Sequence, residues 1–418
     1  MTTRICTYCR LLRRDWRLHM LKYYLLSAKS IMAFVALGLL YSISELAVAG
    51  DDSSDQIFAR YARYGAEVWA KNPSATISGE GKACVSCHTS LPYALVEPLL
   101  PGQYAAYTDL IENINERVLG WQNNTPWYSE QKAEMTAVLA GLPPDTLKTI
   151  LDADESRGVE SIFNAFIRTM HDAYSHSPAE PETVKALEIM WSEQIQTGDD
   201  AGSWNWINAN LMPWEVEDSN LWGASLACVA ASQYPEMAPP HNRELLYARL
   251  RQGVTDSKTS LHVKAAILWC DTETGGKLIE KGIAESIVAD LLKLQFTNGG
   301  WAIRQLGPWV SWEGSASDCC AQREVRPDAY ATGYATFILA RSRHLVGADD
   351  NAKLTRAHQW INEELANPYP AEPRNNRHNS TEHQFPHFRN NVYTNAGHMW
   401  AFLAKTVLED GKPPWSIE

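Results

Sequence analysis

Gln295-Phe296-Thr297-Asn298-Gly299-Gly300-Trp301 is the stretch on which the fold turns, because a looser copy, Gln196-x5-Gly202-x-Trp204, stands upstream of it. Each copy ends a run with apolar residues at three-to-four spacing. Glycine there can take the left-handed conformation that closes a helix, and the tryptophan can fold back over the helix end. A loop and a second apolar run follow each copy. Asp218 precedes Gly223 by five positions, Asp328 precedes Gly333 by five, and Asn391 precedes Ala396 by five. An acidic or amide side chain caps a helix N-terminus, and the small residue lets that helix pack closely. The unit is therefore outer helix, Gln-Gly-Trp turn, loop, capped inner helix. Hairpins repeated in this way stack into a solenoid or close into an α/α toroid.

The same helical period runs through 55–71, 104–118, 129–140, 158–174, 180–196, 222–232, 242–254, 260–269, 279–294, 330–344, 351–365 and 397–408. Pro and Gly fall between the runs, as at Leu142-Pro143-Pro144 and Pro239-Pro240. Strand-like alternation is scarce, so the expected class is all-α.

Cys84-Val85-Ser86-Cys87-His88 carries the chemistry. Two thiols three positions apart can each add to a haem vinyl group, and the adjacent histidine reaches the iron. The expectation is one covalent haem c, with Cys84 and Cys87 as thioether anchors and His88 as proximal ligand. Half a zinc site, a disulfide loop and coincidence are the alternatives, but for zinc no second Cys/His pair lies at ligand spacing. Residues 1–49 hold seven Lys/Arg against two acids, the apolar run 31–43, and Leu46-Ala47-Val48-Ala49-Gly50. That is a basic region, an apolar core too short to span a bilayer, and a small-x-small cleavage site, as in a secretory signal. Met20 offers an alternative start that omits Cys6-Thr7-Tyr8-Cys9. The expected location is periplasmic or secreted, with no membrane span after cleavage and a membrane anchor if the signal stays uncleaved. Cleavage shifts the formal charge from −12 to −17. Such a surface repels nucleic acid and anionic membranes; solubility accounts for it, and steering of basic redox partners is the alternative. The predicted organisation is a signal over 1–49, a haem-bearing segment over 51–143 and a toroid over 144–418.

The Gln-Gly-Trp turns resemble the QW repeats of the squalene/hopene cyclase and prenyltransferase superfamily, over roughly residues 150–410, with a degenerate third region near Trp360. More closely, the chain resembles bacterial c-type haem proteins that pair a C-V-S-C-H-T segment with a cyclase-like toroid. The matching strings are Cys84-Val85-Ser86-Cys87-His88-Thr89-Ser90-Leu91-Pro92-Tyr93-Ala94, Glu155-Ser156-Arg157-Gly158-Val159-Glu160, Trp204-Asn205-Trp206, Pro213-Trp214-Glu215 and Tyr330-Ala331-Thr332-Gly333. The resemblance implies an α/α toroid and a haem. Cyclase chemistry does not transfer with it. The nearest string to the D-x-D-D acid motif, Asp152-Ala153-Asp154-Glu155, reads as a helix cap, and Asp51-Asp52-Ser53-Ser54-Asp55 sits at the mature terminus.

Met135 stands where a small cytochrome c supplies a sixth ligand, although core packing also accounts for it; His171 and His176 read as surface or loop residues. Residues 51–143 suit either a small cytochrome domain or a loop at the toroid rim. Trp204, Trp206, Trp214 and Trp222 fall close to Glu215, Glu217 and Asp218, while Trp301, Trp309 and Trp312 precede Glu313 and Asp318; Asp328 and Tyr330 are further pocket candidates. Aromatics beside carboxylates suit a small apolar or glycan ligand, though packing accounts for most of them. His378, His383, His387 and His398, with Arg374, Arg377 and Arg389, crowd a C-terminal loop. Cys319-Cys320 pair with each other or with Cys228 or Cys270, or stay free, while Cys228 and Cys270 read as buried small hydrophobes. Three functions follow: periplasmic electron transfer, an enzyme working in the toroid cavity by haem-dependent oxidation or cyclase, lyase or hydrolase chemistry, and a non-catalytic ligand- or partner-binding toroid.

Overall fold

The computed structural model describes residues 54–71, 85–102, 104–124, 153–208, 213–308, 325–366, 394–412 and 415. The leader, Cys84, Met135, Trp309, Trp312, Glu313, Asp318, Cys319-Cys320 and the loop carrying His378, His383, His387, Arg374, Arg377 and Arg389 lie outside them. Residues 54–418 form one compact unit.

The described residues are all-helical, with twelve α-helices. These are α1 Ser54–Ala70, α2 Ser90–Val96, α3 Ala105–Leu119, α4 Ala153–Tyr174, α5 Pro181–Ser192, α6 Ser219–Gln233, α7 Pro240–Thr255, α8 Leu261–Glu273, α9 Lys281–Lys293, α10 Ala329–Arg341, α11 Asn351–Leu365 and α12 Thr394–Asp410. Eleven match apolar runs of the sequence. The exception, α2, is two turns buried on every side, and a periodicity of three to four cannot be read from an element that short.

Burial alternates along the chain. Even-numbered helices are wrapped by protein: eleven of thirteen residues are buried in α10, and all of residues 158–170 in α4. Odd-numbered helices bury one face, four of sixteen residues in α7 and five of fifteen in α11. This matches the sequence, since α10 is mostly apolar around its circumference whereas α7 is half polar, with Arg243, Glu244, Arg249 and Arg251 among its residues. The wrapped helices contact each other in order. Helix α4 packs on α6, α6 on α8, α8 on α10, α10 on α12, α12 on α2, and α2 back on α4. Helices α10 and α12 approach closely. A Cβ on Gly333 would overlap the Trp400–Ala401 backbone, so only glycine fits there.

The spacing of the described helices along the chain alternates too: from a wrapped helix to the one-faced helix described after it at most nine residues intervene, whereas in five of the six cases in the other direction nineteen or more do. Cys87-His88, both Gln-Gly-Trp turns, Trp204-Asn205-Trp206 and Pro213-Trp214-Glu215 lie between helices, whereas Glu155–Glu160 lies within α4 and Tyr330–Gly333 within α10.

Two cysteine readings are corrected. Cys228 in α6 and Cys270 in α8 are not free small hydrophobes but form a disulfide, because these neighbouring helices bring their Cα atoms to 5.7 Å. His398 is not a loop histidine. It is buried in α12, bonded to the Tyr61 hydroxyl and paired with Glu364.

Candidate functional site

Both Gln-Gly-Trp turns lock helix ends by the same bonds. Trp301 Nε1 donates to Leu291 O at 2.7 Å and Trp204 Nε1 to Met190 O at 2.6 Å. Gly299 and Gly202 have φ of 98° and 93°, and their Cα positions face the backbone of the next one-faced helix at Arg356 and Leu245. Gln295 Nε2 donates to Gly299 O and Lys353 O, both at 2.9 Å. In the first turn the equivalent residue is Gln194, which donates to Gly202 O at 3.2 Å and Asn242 O at 3.0 Å; Gln196 bonds only to Gln194. The sequence alignment on Gln196 is thus two residues out of register. Trp204 and Trp301 are turn locks buried in these bonds, not pocket walls.

The Cys87-His88 segment leads into α2. Ser86 Oγ accepts from the backbone N–H groups of Thr89 at 3.1 Å and Ser90 at 3.2 Å, which satisfies donors of the first helical turn. Val85 and Thr89 are fully buried and anchor the segment on both sides of Cys87 and His88, which are half-buried. His88 Nδ1 lies 2.9 Å from Thr89 Oγ1. The ring stands edge-on to Trp69 at 4.6 Å and faces Trp214 at 6.5 Å. Desolvation pushes the His88 pKa down to about 3, so the imidazole is neutral.

Trp214 connects this end to the interior. Trp206 Nε1 donates to its carbonyl at 2.8 Å, and Trp214 Nε1 donates to the Tyr330 hydroxyl at 3.1 Å. The Tyr330 hydroxyl lies 2.8 Å from His262 Nε2. His262 stacks on Tyr334 at 4.6 Å and faces Trp222 at 6.3 Å, while the Tyr334 hydroxyl donates to His262 O at 3.0 Å. Burial lowers the His262 pKa to about 3 and raises Tyr330 well above its ordinary range, with Cys87 among the groups facing Tyr330. Beyond Tyr334 the rings of Trp400, Trp269 and Trp415 fill the space among the wrapped helices.

Of the sequence-derived pocket residues, Trp206, Trp214, Trp222 and Tyr330 therefore meet here, next to His88. Glu215 is half-buried with no hydrogen-bond partner among the described residues, and desolvation raises its pKa to about 7. Asp328 caps α10 through Ala331 N at 2.8 Å and holds Ile303 N at 2.7 Å; burial outweighs these bonds and raises its pKa to about 7. Asp218 does not cap its own helix with its side chain. Its carboxylate accepts from Ser260 N at 2.7 Å, at the start of α8.

A cleft of about 630 Å³ opens beside this segment, lined by Glu67, Trp69, Tyr93, Tyr104, Asn113 and Glu116 among others. Sequence reading missed the cleft and His262. A single histidine in an apolar helix carries no signal of the tyrosine it meets from another helix. His171, Asp172 and Glu180 bring ligand atoms within 4.8 Å of one another, but Arg168 donates to both carboxylates and Tyr107 bonds His171 at 2.9 Å. That cluster is an ion-pair network centred on an arginine. No helix among the described residues is long and apolar enough to cross a membrane. No family model, curated protein or solved structure matches the chain.

Proposed function

We propose that this protein is an exported c-type haem protein in which Cys84 and Cys87 carry the thioethers, His88 binds the iron, and the helical body is an α/α toroid serving periplasmic redox chemistry. The observation that carries the reading is the setting of the Cys-x-x-Cys-His motif. Ser86 fixes the turn, Thr89 engages His88 Nδ1 so that the iron would be met by Nε2, and the imidazole is held neutral, the form a metal needs. The neighbouring aromatic cleft has the size of a small-molecule site. Bound haem would supply one-electron redox chemistry at its iron. The chain's own part is to orient His88 through Thr89 and to shield it from water with Trp69 and Trp214.

The toroid reading is supported by the closed order of contacts among the wrapped helices and by the alternation of wrapped and one-faced helices. Short connections join antiparallel neighbours, so the long connections would gather at one end, where the motif lies. Export is supported by the leader and by the Cys228–Cys270 disulfide, since such bonds persist in oxidising compartments. The acidic surface suits a basic electron partner.

The test is expression with and without cytochrome c maturation machinery, followed by intact mass and the reduced haem spectrum. One covalent haem lost in Cys84→Ala/Cys87→Ala is expected; soluble, exported protein without haem overturns the reading. An unchanged six-coordinate spectrum in Met135→Ala would remove Met135 as sixth ligand. The enzyme reading draws on one observation, Glu215 beside Trp214 with no hydrogen-bond partner among the described residues, a carboxyl able to exchange a proton near neutrality. A five-coordinate haem that binds carbon monoxide favours it, and a low-spin six-coordinate haem favours electron transfer.

A further inference from the structure

We propose that Tyr330 and His262 form a proton-coupled redox pair, in which Tyr330 gives up an electron toward the His88 end while its phenolic proton passes to His262 Nε2. The hydrogen bonds set the direction. Indole nitrogen only donates, so Trp214 Nε1 donates to the Tyr330 oxygen. The acceptor within reach of the hydroxyl proton among the described residues is then His262 Nε2, at 2.8 Å. Both side chains are fully buried, Tyr330 at 1% and His262 at 0% exposure, so the proton has a fixed place to go and to return from. A tyrosine lacking such an acceptor would have to expel a proton into apolar surroundings, at high cost.

The electron has a route. Trp214 touches both sides, with ring centres 5.1 Å from Tyr330 and 6.5 Å from His88. On the far side Tyr330 stacks parallel to Tyr334 at 5.8 Å, whose ring lies 5.3 Å from Trp400. The pair thus sits between the motif and a column of oxidisable rings.

The oxidant class is a peroxide, and here the inference rests on the haem reading. Hydrogen peroxide takes up two electrons and two protons and leaves as two waters. One electron would come from a ferrous iron, which becomes ferric, and the second from Tyr330; the two protons come from solvent. Tyr330 becomes a neutral phenoxyl radical and His262 an imidazolium; one later electron restores this pair, and a second would return the iron to its ferrous state.

The experiment adds hydrogen peroxide to the reduced, haem-loaded full chain, freezes it within milliseconds and records the paramagnetic spectrum, with haem content measured first by mass. A tyrosyl signal is expected that changes shape on incorporation of ring-deuterated tyrosine. It should be lost in Tyr330→Phe, retained in Tyr334→Phe, and lost or greatly shortened in His262→Phe. Ring deuteration needs no substitution, so the radical's identity as tyrosyl stays testable if a variant misfolds. A signal that survives in folded, haem-loaded Tyr330→Phe, or haem-loaded wild type with no tyrosyl signal, overturns the pair and leaves the haem reading standing. A chain that takes no haem overturns both.

Discussion

The turn at residues 194–204 and the turn at residues 295–301 make the same three kinds of contact, yet the units they open serve different ends. In the second unit the carboxylate stays local: Asp328 caps α10 and holds Ile303 of its own turn. In the first unit Asp218 reaches forward to Ser260, and the chain between turn and helix carries Trp206 and Trp214 toward His88 and Tyr330. The second unit closes on itself, and the first is opened toward the motif. Identical helix-end chemistry therefore leaves the intervening loop free to be used.

The largest test of the shared part is Gly202→Ala against Gly299→Ala. Each needs positive φ and each would push a Cβ into a neighbouring backbone, so both should cost about 3 kcal/mol or more in urea unfolding. A loss below about 0.5 kcal/mol at either would break the equivalence.

Glu215 belongs to the opened unit alone. Burial keeps it protonated up to about pH 7, whereas an unperturbed glutamate ionises near 4.5. The folded state binds the extra proton between those values, so stability falls as pH rises through that window. Glu215→Gln should remove that slope and be more stable than wild type by about 1–2 kcal/mol above neutral pH, with no gain below about pH 4.5. Parallel stability curves for the two proteins would sink the assignment.

The carboxylates give the next contrast. Asp328→Ala should cost about 1–2 kcal/mol and loosen amide protection at the start of α10. Asp218→Ala should loosen the start of α8 and spare α6, read by hydrogen exchange. Smallest is the register test. Gln194→Ala and Gln295→Ala should each cost about 1 kcal/mol, and Gln196→Ala under about 0.5 kcal/mol. Equal losses for Gln194 and Gln196 would restore the alignment on Gln196.

Helices were legible because their signal is local: apolar spacing in 351–365 marks α11 to the residue. The motif was legible for the same reason, since Cys87 and His88 adjoin in sequence. Trp214 and Tyr330 were legible as aromatics near carboxylates, but their meeting with His88 and His262 was not, because the four are far apart along the chain and His262 alone resembles an ordinary core residue of an apolar segment.

By itself, the sequence determined the all-α class, the glycine-and-tryptophan turns and the motif, all of which depend on neighbours within a few positions. Tertiary structure decided which glutamine locks the first turn, because that requires the carbonyl of Asn242 on the following helix within reach. It decided that Cys228 bonds Cys270, and that Asp218 serves α8. It also decided that a tyrosine and a histidine 68 positions apart share a proton's distance beside the motif. Each of these depends on how close two helices come, a property of packing that no local pattern encodes.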